Sequence, residues 1–232
     1  MVQNADDDPP ARLGDWLTAA GFELDVVRVY DGEPLPAGLD DYRALVVLGG
    51  PQQSYGPEAP PWSGQLTGLL REAVGTGLAT LGVCLGGQYL AQATGGLVRR
   101  GDGGPEVGAR LVAKRDAAGD DPLFSPLPLM PDVLQWHSDE IAVLPGGATL
   151  LASSPACANQ AFRVGRRGYG LQFHIETDEA MVKRWAEEDR DRLIGLGVDV
   201  DALLAGALAV HPDLEEVWRP FAARFAALAE ER

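Results

Sequence analysis

The run Leu81-Gly82-Val83-Cys84-Leu85-Gly86-Gly87-Gln88 permits very few backbones. An apolar stretch enters it and a helix-forming stretch, Gln88–Ala93, leaves it, so the chain must turn from strand to helix within a few residues. Gly82 and Gly86 on either side of Cys84 allow a tight turn, in which the residue between them takes a strained conformation and its side chain stands exposed above the sheet. A thiol held there meets the unpaired N–H groups of the next helix. Those groups stabilise a thiolate and face the oxygen of any carbonyl that the sulfur attacks, so one turn supplies activation and part of an oxyanion hole.

The flanking sequence alternates strand and helix. Arg12–Ala20 reads as a helix ended by Gly21, Leu24–Tyr30 as a strand, and Ala44–Leu48 as a short buried strand running into Gly49-Gly50-Pro51. Pro60 and Pro61 precede a helix over Leu66–Val74, Leu78–Val83 is strand, and Gly95-Gly96 closes the helix after Cys84. This order predicts an α/β fold with a doubly wound, mainly parallel sheet and helices on both faces. From Val107 to Leu171 short extended runs follow one another: Ala109–Ala113, Ile141–Val143, Thr149–Ala152, Gln160–Val164 and Tyr169–Phe173. They predict an antiparallel edge, making the sheet mixed. Beyond Glu176, Thr177 is placed to cap a helix, with Asp178 and Glu179 favourable in its first turn. In the tail, Leu214, Val217, Trp218, Phe221, Phe225 and Leu228 recur at helical spacing as a core-facing stripe that Pro220 should kink. The expected organisation is a catalytic domain over 1–176 and a helical extension over 177–232 packed on it. Asp6-Asp7-Asp8 and Gly101–Gly104 read as solvated loops.

Some ninety residues after the thiol comes Gln172-Phe173-His174-Ile175-Glu176. Residues two apart in an extended segment point the same way, so Glu176 can fix the tautomer of His174 and support its charged form. Near Cys84, that imidazole is a general acid–base for thiolate attack. The cluster Gln135-Trp136-His137-Ser138-Asp139 reads equally as a substrate-pocket lining or as a turn. Cys157 lacks the glycine frame and reads as structural, and His211, before Pro212, as a surface residue. Gly49-Gly50-Pro51 lacks the Lys-Ser/Thr end of a phosphate loop, and no Cys or His grouping has metal-ligand spacing. Neither metal nor bound cofactor is expected.

Charge narrows the partners. With 34 acidic against 19 basic residues the formal charge is -15, which repels nucleic acid and anionic membrane and leaves small molecules or proteins. Two cysteines are too few for a disulfide framework, and no basic-then-apolar leader or long apolar segment is seen, so a reduced cytoplasmic setting is expected.

These residues carry a resemblance. From Val26 to Glu176 the chain resembles the class I, triad-type glutamine amidotransferases, especially stand-alone ones likened to the amidotransferase domain of GMP synthase. The matching motifs are Val47–Pro51, Gly82–Gln88, Gln135–Asp139, Asn159-Gln160-Ala161-Phe162 and Gly170–Glu176. The resemblance implies the flavodoxin-like fold of that family, with Cys84 attacking the side-chain amide of glutamine. His174 would pass the proton to departing ammonia and Glu176 would orient His174. It further implies that the backbone at Gly50 and Leu85 holds the oxyanion, that Gln88 helps bind glutamine, and that His137, Ser138 and Asp139 line the substrate pocket. The family usually has Pro between the His and the Glu; Ile175 here loses rigidity but keeps both side chains on one face. Its first strand normally begins further upstream, so that edge is expected to be short or truncated. No ammonia-using synthase domain is apparent in the chain. The leading expectation is therefore a glutaminase releasing ammonia to a separate synthase partner; the alternatives are a self-sufficient hydrolase of γ-glutamyl amides or peptides and a non-catalytic regulatory or binding module.

Overall fold

Apolar alternation decides how the central strands sit. In β3 (Ala44–Val47), Leu45 and Val47 join one hydrophobic core while Val46, with Leu48 just beyond, joins another. A strand that buries both faces lies inside a sheet covered on both sides. The computed structural model describes residues 1–231 and shows that sheet. Its parallel part is β1 (Val2–Gln3), β2 (Val27–Arg28), β3, β4 (Ala79–Val83) and β12 (Gly168–Leu171), in the order β2-β1-β3-β4-β12. Three antiparallel strands continue it: β11 (Ala161–Val164), β10 (Thr149–Ser153) and β7 (Ala113–Lys114). Two ribbons stand outside, β5 (Leu97–Arg100) with β9 (Asp139–Val143), and β6 (Glu106–Leu111) with β8 (Asp132–His137). The mixed, mainly parallel sheet is as expected.

Helices α2 (Ser63–Thr76) and α3 (Leu85–Ala93) pack in one core through Leu66, Leu70, Tyr89 and Leu90. On the other face α1 (Ala11–Ala19) brings Leu13 and Leu17, and α7 (His211–Glu230) brings Leu214, Trp218, Phe221, Phe225 and Leu228. The stripe in the tail is therefore core, with Val217 only partly buried against it and Pro220 inside the helix. Trp218 donates its indole N–H to the Asp132 carbonyl at 2.8 Å and stacks edge-on against Phe124 and Phe221. Along the chain, α4 (Glu179–Glu188), α5 (Arg190–Gly195) and α6 (Val200–Ala209) come between β12 and α7.

Several local expectations need correction. Only Val27–Arg28 of the Leu24–Tyr30 run is strand, followed by a 3-10 turn over Val29–Asp31 that Gly32 ends at φ 85°. Its one neighbour, β1, is two residues long and gives it no further hydrogen-bond partners. The first strand is short as expected but lies between β2 and β3 rather than at an edge. Strands β5 and β8 were not expected; β5 pairs Arg99 with Glu140 and Arg100 with Asp139 across the ribbon, a charge pairing that hydrophobic alternation does not reveal. The cap of α4 is Asp178, whose carboxylate accepts from the Met181 N–H at 2.8 Å, and not Thr177. His211 is buried, not at the surface, because α1 packs over the start of α7: Arg12 donates to the His211 carbonyl and Thr177 contacts its ring.

Four neighbouring parallel strands, β1, β3, β4 and β12, end at one edge of the sheet. The residues just past those ends are Asn4 to Asp8, Gly49-Gly50, Cys84, and Gln172 to Glu176. In open α/β sheets the crevice beyond the carboxyl ends of the strands is where ligands bind.

Candidate active site

Cys84 stands between β4 and α3 at φ 49°, ψ −107°, a conformation that L-residues rarely adopt. The glycine frame makes it possible through close packing as well as through backbone freedom. A Cβ on Gly86 would collide with the Val47 carbonyl, and one on Gly82 with the Gly86 backbone; one on Gly87 would come within 2.5 Å of the Leu171 carbonyl. The elbow is wedged between β3 and β12, and the Cys84 N–H donates to the Leu171 carbonyl at 2.8 Å.

His174 comes from the segment that leaves β12. It is clamped to β8 by two backbone hydrogen bonds with Leu134, at 2.8 and 3.3 Å. Its Nδ1 lies 2.6 Å from Glu176 Oε1, while Glu176 Oε2 accepts from the Ile175 N–H at 2.9 Å, so the carboxylate is fixed by the residue between the two. The ring packs edge-on against Trp185 of α4, centroids 4.8 Å apart. Burial opposes its positive charge, but Glu176 and the Cys84 sulfur outweigh it and hold the His174 pKa well above the ordinary 6.5. Among the described residues Nε2 has no nitrogen or oxygen partner, leaving it to the thiol and to whatever enters. The sequence places Cys84, His174 and Glu176 in one expected site, and the fold brings them together.

Gly50 and Leu85 border the same cleft. The Gly50 N–H makes no hydrogen bond among the described residues, and the Leu85 N–H, first in α3, has no partner within the helix. A Cβ on Gly50 would press on Gln52, Asn4 and Leu85, so this loop closes against the elbow.

The other expected residues are arranged more variously. Gln88 is buried, with its amide nitrogen 3.3 Å from the Asp139 carbonyl and 3.4 Å from Gln172 Oε1. Gln172 in turn directs its amide at Cys84 Sγ, 3.9 Å away, a neighbour of the thiol to which its motif alone gives no role. The His137 ring sits between the Asp139 carbonyl, 2.9 Å, and Glu106, 3.3 Å. Ser138 reaches Arg192 at 3.5 Å, and Asp139 lies 3.6 Å from Arg100. Cys157 is buried outside the two clefts that contain Cys84, and burial pushes its thiol up to about 12, in keeping with a structural role.

Asp8 is the main surprise. Expected in a solvated loop, it is 4% exposed at the floor of the cleft; the Asp8 N–H donates to Ala5 O at 3.3 Å, folding the acidic run under the site. Gly49 makes room for it, since a Cβ there would stand 2.7 Å from the Asp8 carboxylate and 2.9 Å from the His174 ring. Burial is the main cause that raises its pKa to about 7, with Glu176 adding to it and His174 opposing. Asp8, His174 and Glu176 each bring a donor atom within 4.8 Å of the others, a grouping able to hold a cation, although Glu176 already engages both His174 and the backbone.

Two cavities meet at Cys84. One, about 340 Å³, is bordered by Leu85, Gln88, Arg100, Ser138, Asp139 and Arg192. The second, about 130 Å³, lies on the His174 side among Asp7, Asp8, Trp136 and Trp185. Clefts of about 650 Å³ elsewhere on the molecule contain neither Cys84 nor His174, so size does not select the site.

The family model for glutamine amidotransferase class-I matches residues 12–182. The chain is 30% identical to gamma-glutamyl peptidase 3 of Arabidopsis thaliana over 70% of its own length and 66% of that protein's. It is 28% identical to a glutamine-hydrolyzing GMP synthase subunit of Methanoregula boonei, over 74% and 86%. The crystal structure of a glutamine amidotransferase from Thermotoga maritima superimposes with a TM-score of 0.86 at 31% identity, covering 97% of this chain and 96% of that one.

Proposed function

The chain belongs to the glutamine amidotransferase class-I family, and from that premise we propose that it hydrolyses γ-glutamyl amides at Cys84, the side-chain amide of glutamine being the smallest member of that substrate class. The observation that carries this reading is the meeting of a strained, glycine-framed thiol with a buried His–Glu pair 2.6 Å apart, beside two backbone N–H groups that make no hydrogen bond among the described residues.

The larger cavity suits an α-amino acid head, with Arg100 and Arg192 for its carboxylate and Asp139 for its ammonium. With the head there, the γ-carbonyl carbon lies at Cys84. The thiolate, stabilised by the His174 imidazolium, forms the C–S bond, and the carbonyl oxygen takes the negative charge between the Gly50 and Leu85 N–H groups. His174 then gives its Nε2 proton to the departing amine nitrogen as the C–N bond breaks, leaving a γ-glutamyl thioester. Water attacks that thioester as His174 takes one of its protons, the C–S bond breaks, and glutamate leaves with the second proton going to solvent, which restores the thiolate and the imidazolium. Glu176 keeps Nε2 aimed at the reaction throughout.

Ammonia passed to a separate synthase is one use of this chemistry. Unaided hydrolysis of larger γ-glutamyl amides is the other, and the second cavity on the His174 side favours it, because departing ammonia needs no such space. The test is glutamate release from glutamine and from a γ-glutamyl anilide, with and without cell extract. Unaided turnover of the anilide supports the hydrolase, and turnover of glutamine only with extract supports the ammonia donor. Cys84→Ala should abolish both reactions; undiminished turnover in that variant would overturn the proposal.

A further inference from the structure

The general acid stands on the leaving-group side of a scissile amide, because its proton goes to the amine nitrogen. His174 borders the smaller cavity and not the larger one, so the amine leaves into the smaller. That space of about 130 Å³ corresponds to roughly four waters at about 30 Å³ each, more than ammonia fills.

Its walls are selective. Asp8, only 4% exposed, borders the cavity, and its carboxylate makes no hydrogen bond and no ion pair among the described residues. Asp7, half-buried next to it, has no ion-pair partner among them either, whereas Glu188 and Asp189 at the rim are already bridged by Arg184 and Arg192. Of the described residues, no lysine or arginine lines the cavity. The indoles of Trp136 and Trp185 form its aromatic side, ring centroids 5.6 Å apart. A buried carboxylate with no hydrogen-bond or ion-pair partner, its nearest cation the His174 ring, beside electron-rich indoles is what a desolvated ammonium requires.

Resting on the reading that Cys84 cleaves γ-glutamyl amides, we infer that this cavity is a leaving-group site for an amine bearing a second, positively charged group, such as a diamine, with Asp8 and Asp7 taking the charge beside the paired indoles. The bonds made and broken are those of the hydrolysis above. The diamine departs with the His174 proton on its released nitrogen, and its distal ammonium is a spectator. Burial holds Asp8 partly protonated near neutral pH, and a bound cation would draw it into the ionised form.

The experiment compares kcat/KM for glutamine and three γ-glutamyl amides of matched length, those of 1,4-diaminobutane, pentylamine and 5-aminopentanoate, in the parent, Asp8→Asn, Asp7→Asn and Trp185→Leu proteins. The parent should prefer the diamine over the pentylamide by about tenfold or more, with the carboxylate tail worst. Taken as a ratio within each variant, so that a general loss of activity cancels, the preference should shrink towards one in Asp8→Asn and fall in the others. Should Asp8→Asn fail to fold, the parent's ranking and the Asp7→Asn ratio decide. Equal use of the three tails, preference for the neutral or acidic one, an unchanged ratio in the Asp variants, or cleavage of glutamine with none of the three would overturn this inference and leave the γ-glutamyl reading standing. Failure to cleave even glutamine would overturn both.

Discussion

Within the site, His174 and Glu176 differ in what they do. His174 moves protons at the reacting atoms, while Glu176 acts through it from 2.6 Å away. His174→Ala should therefore cost the full acid–base contribution, about 10²–10⁴-fold in kcat, and Glu176→Gln less. Equal full activity in both variants would refute the roles assigned. Asp8 gives a second prediction, in stability. Its folded pKa of about 7 lies above the ordinary 3.8, so the folded state resists ionising it. The sign follows: well below pH 3.8 the group is protonated in both states and costs nothing; the cost grows as pH rises from there towards 7 and is constant above. Asp8→Asn should thus raise stability at pH 8 by up to about 4 kcal/mol and barely change it at about pH 3. Denaturant melts at the two pH values check this, and equal effects at both would show that Asp8 carries no raised pKa. Cys84, His174 and Glu176 were legible because each sits in a local pattern that dictates its geometry. Asp8 was not, since three consecutive aspartates read as solvated surface; only the missing Cβ of Gly49, forty residues on, lets one of them underneath.

Among the elements, the elbow and the Gly49-Gly50-Pro51 loop act together. β3 and β4 are adjacent parallel strands, so the loop that leaves one is set against the turn that leaves the other, and Gly50 and Leu85 border one cavity. A side chain at position 50 has to displace Gln52, Asn4 or Leu85. Gly50→Val should accordingly cut turnover by about 10²-fold or more while Cys84 is still labelled by a glutamine-like electrophile. Parent-rate hydrolysis in that variant would show that the oxyanion is held elsewhere. Of the strands that build this edge, β3 was readable because it is apolar at every position, and β4 because Thr80 is its one polar residue. The ribbons were harder. β5 buries only Val98 and ends in two exposed arginines, and β8 carries Gln135, Trp136 and His137, so neither presents an uninterrupted apolar run. Their pairing depends on partners 21 to 46 residues away in sequence, which local periodicity does not register.

For the whole molecule, the question is whether residues beyond 176 form a separate unit. The helical spacing of the tail suggests an extension. In the structure Met181, Trp185, Trp218, Phe221 and Phe225 share one core with Leu13, Val46 and Leu81 of the sheet region. Polar contacts cross the same boundary: the Trp16 indole donates to Glu215, Trp218 to Asp132, and Trp185 to the Asp7 carbonyl. The last of these joins α4 to the acidic run that floors the site, and the same indole packs on His174. A core shared in this way has no plane along which one part can open while keeping its apolar surface buried. We therefore expect the chain to unfold in a single cooperative transition, with tryptophan fluorescence, far-UV circular dichroism and loss of Cys84 labelling coinciding, and the calorimetric enthalpy equal to the van't Hoff value. Phe221→Ala, which empties a buried aromatic site in α7, should destabilise that one transition by about 3–5 kcal/mol and move all three probes together. Two resolved transitions, or a Phe221→Ala protein in which the helices melt while Cys84 keeps its reactivity, would mean that the tail is an independent layer and that Trp185 is not held to the catalytic edge by the fold as a whole.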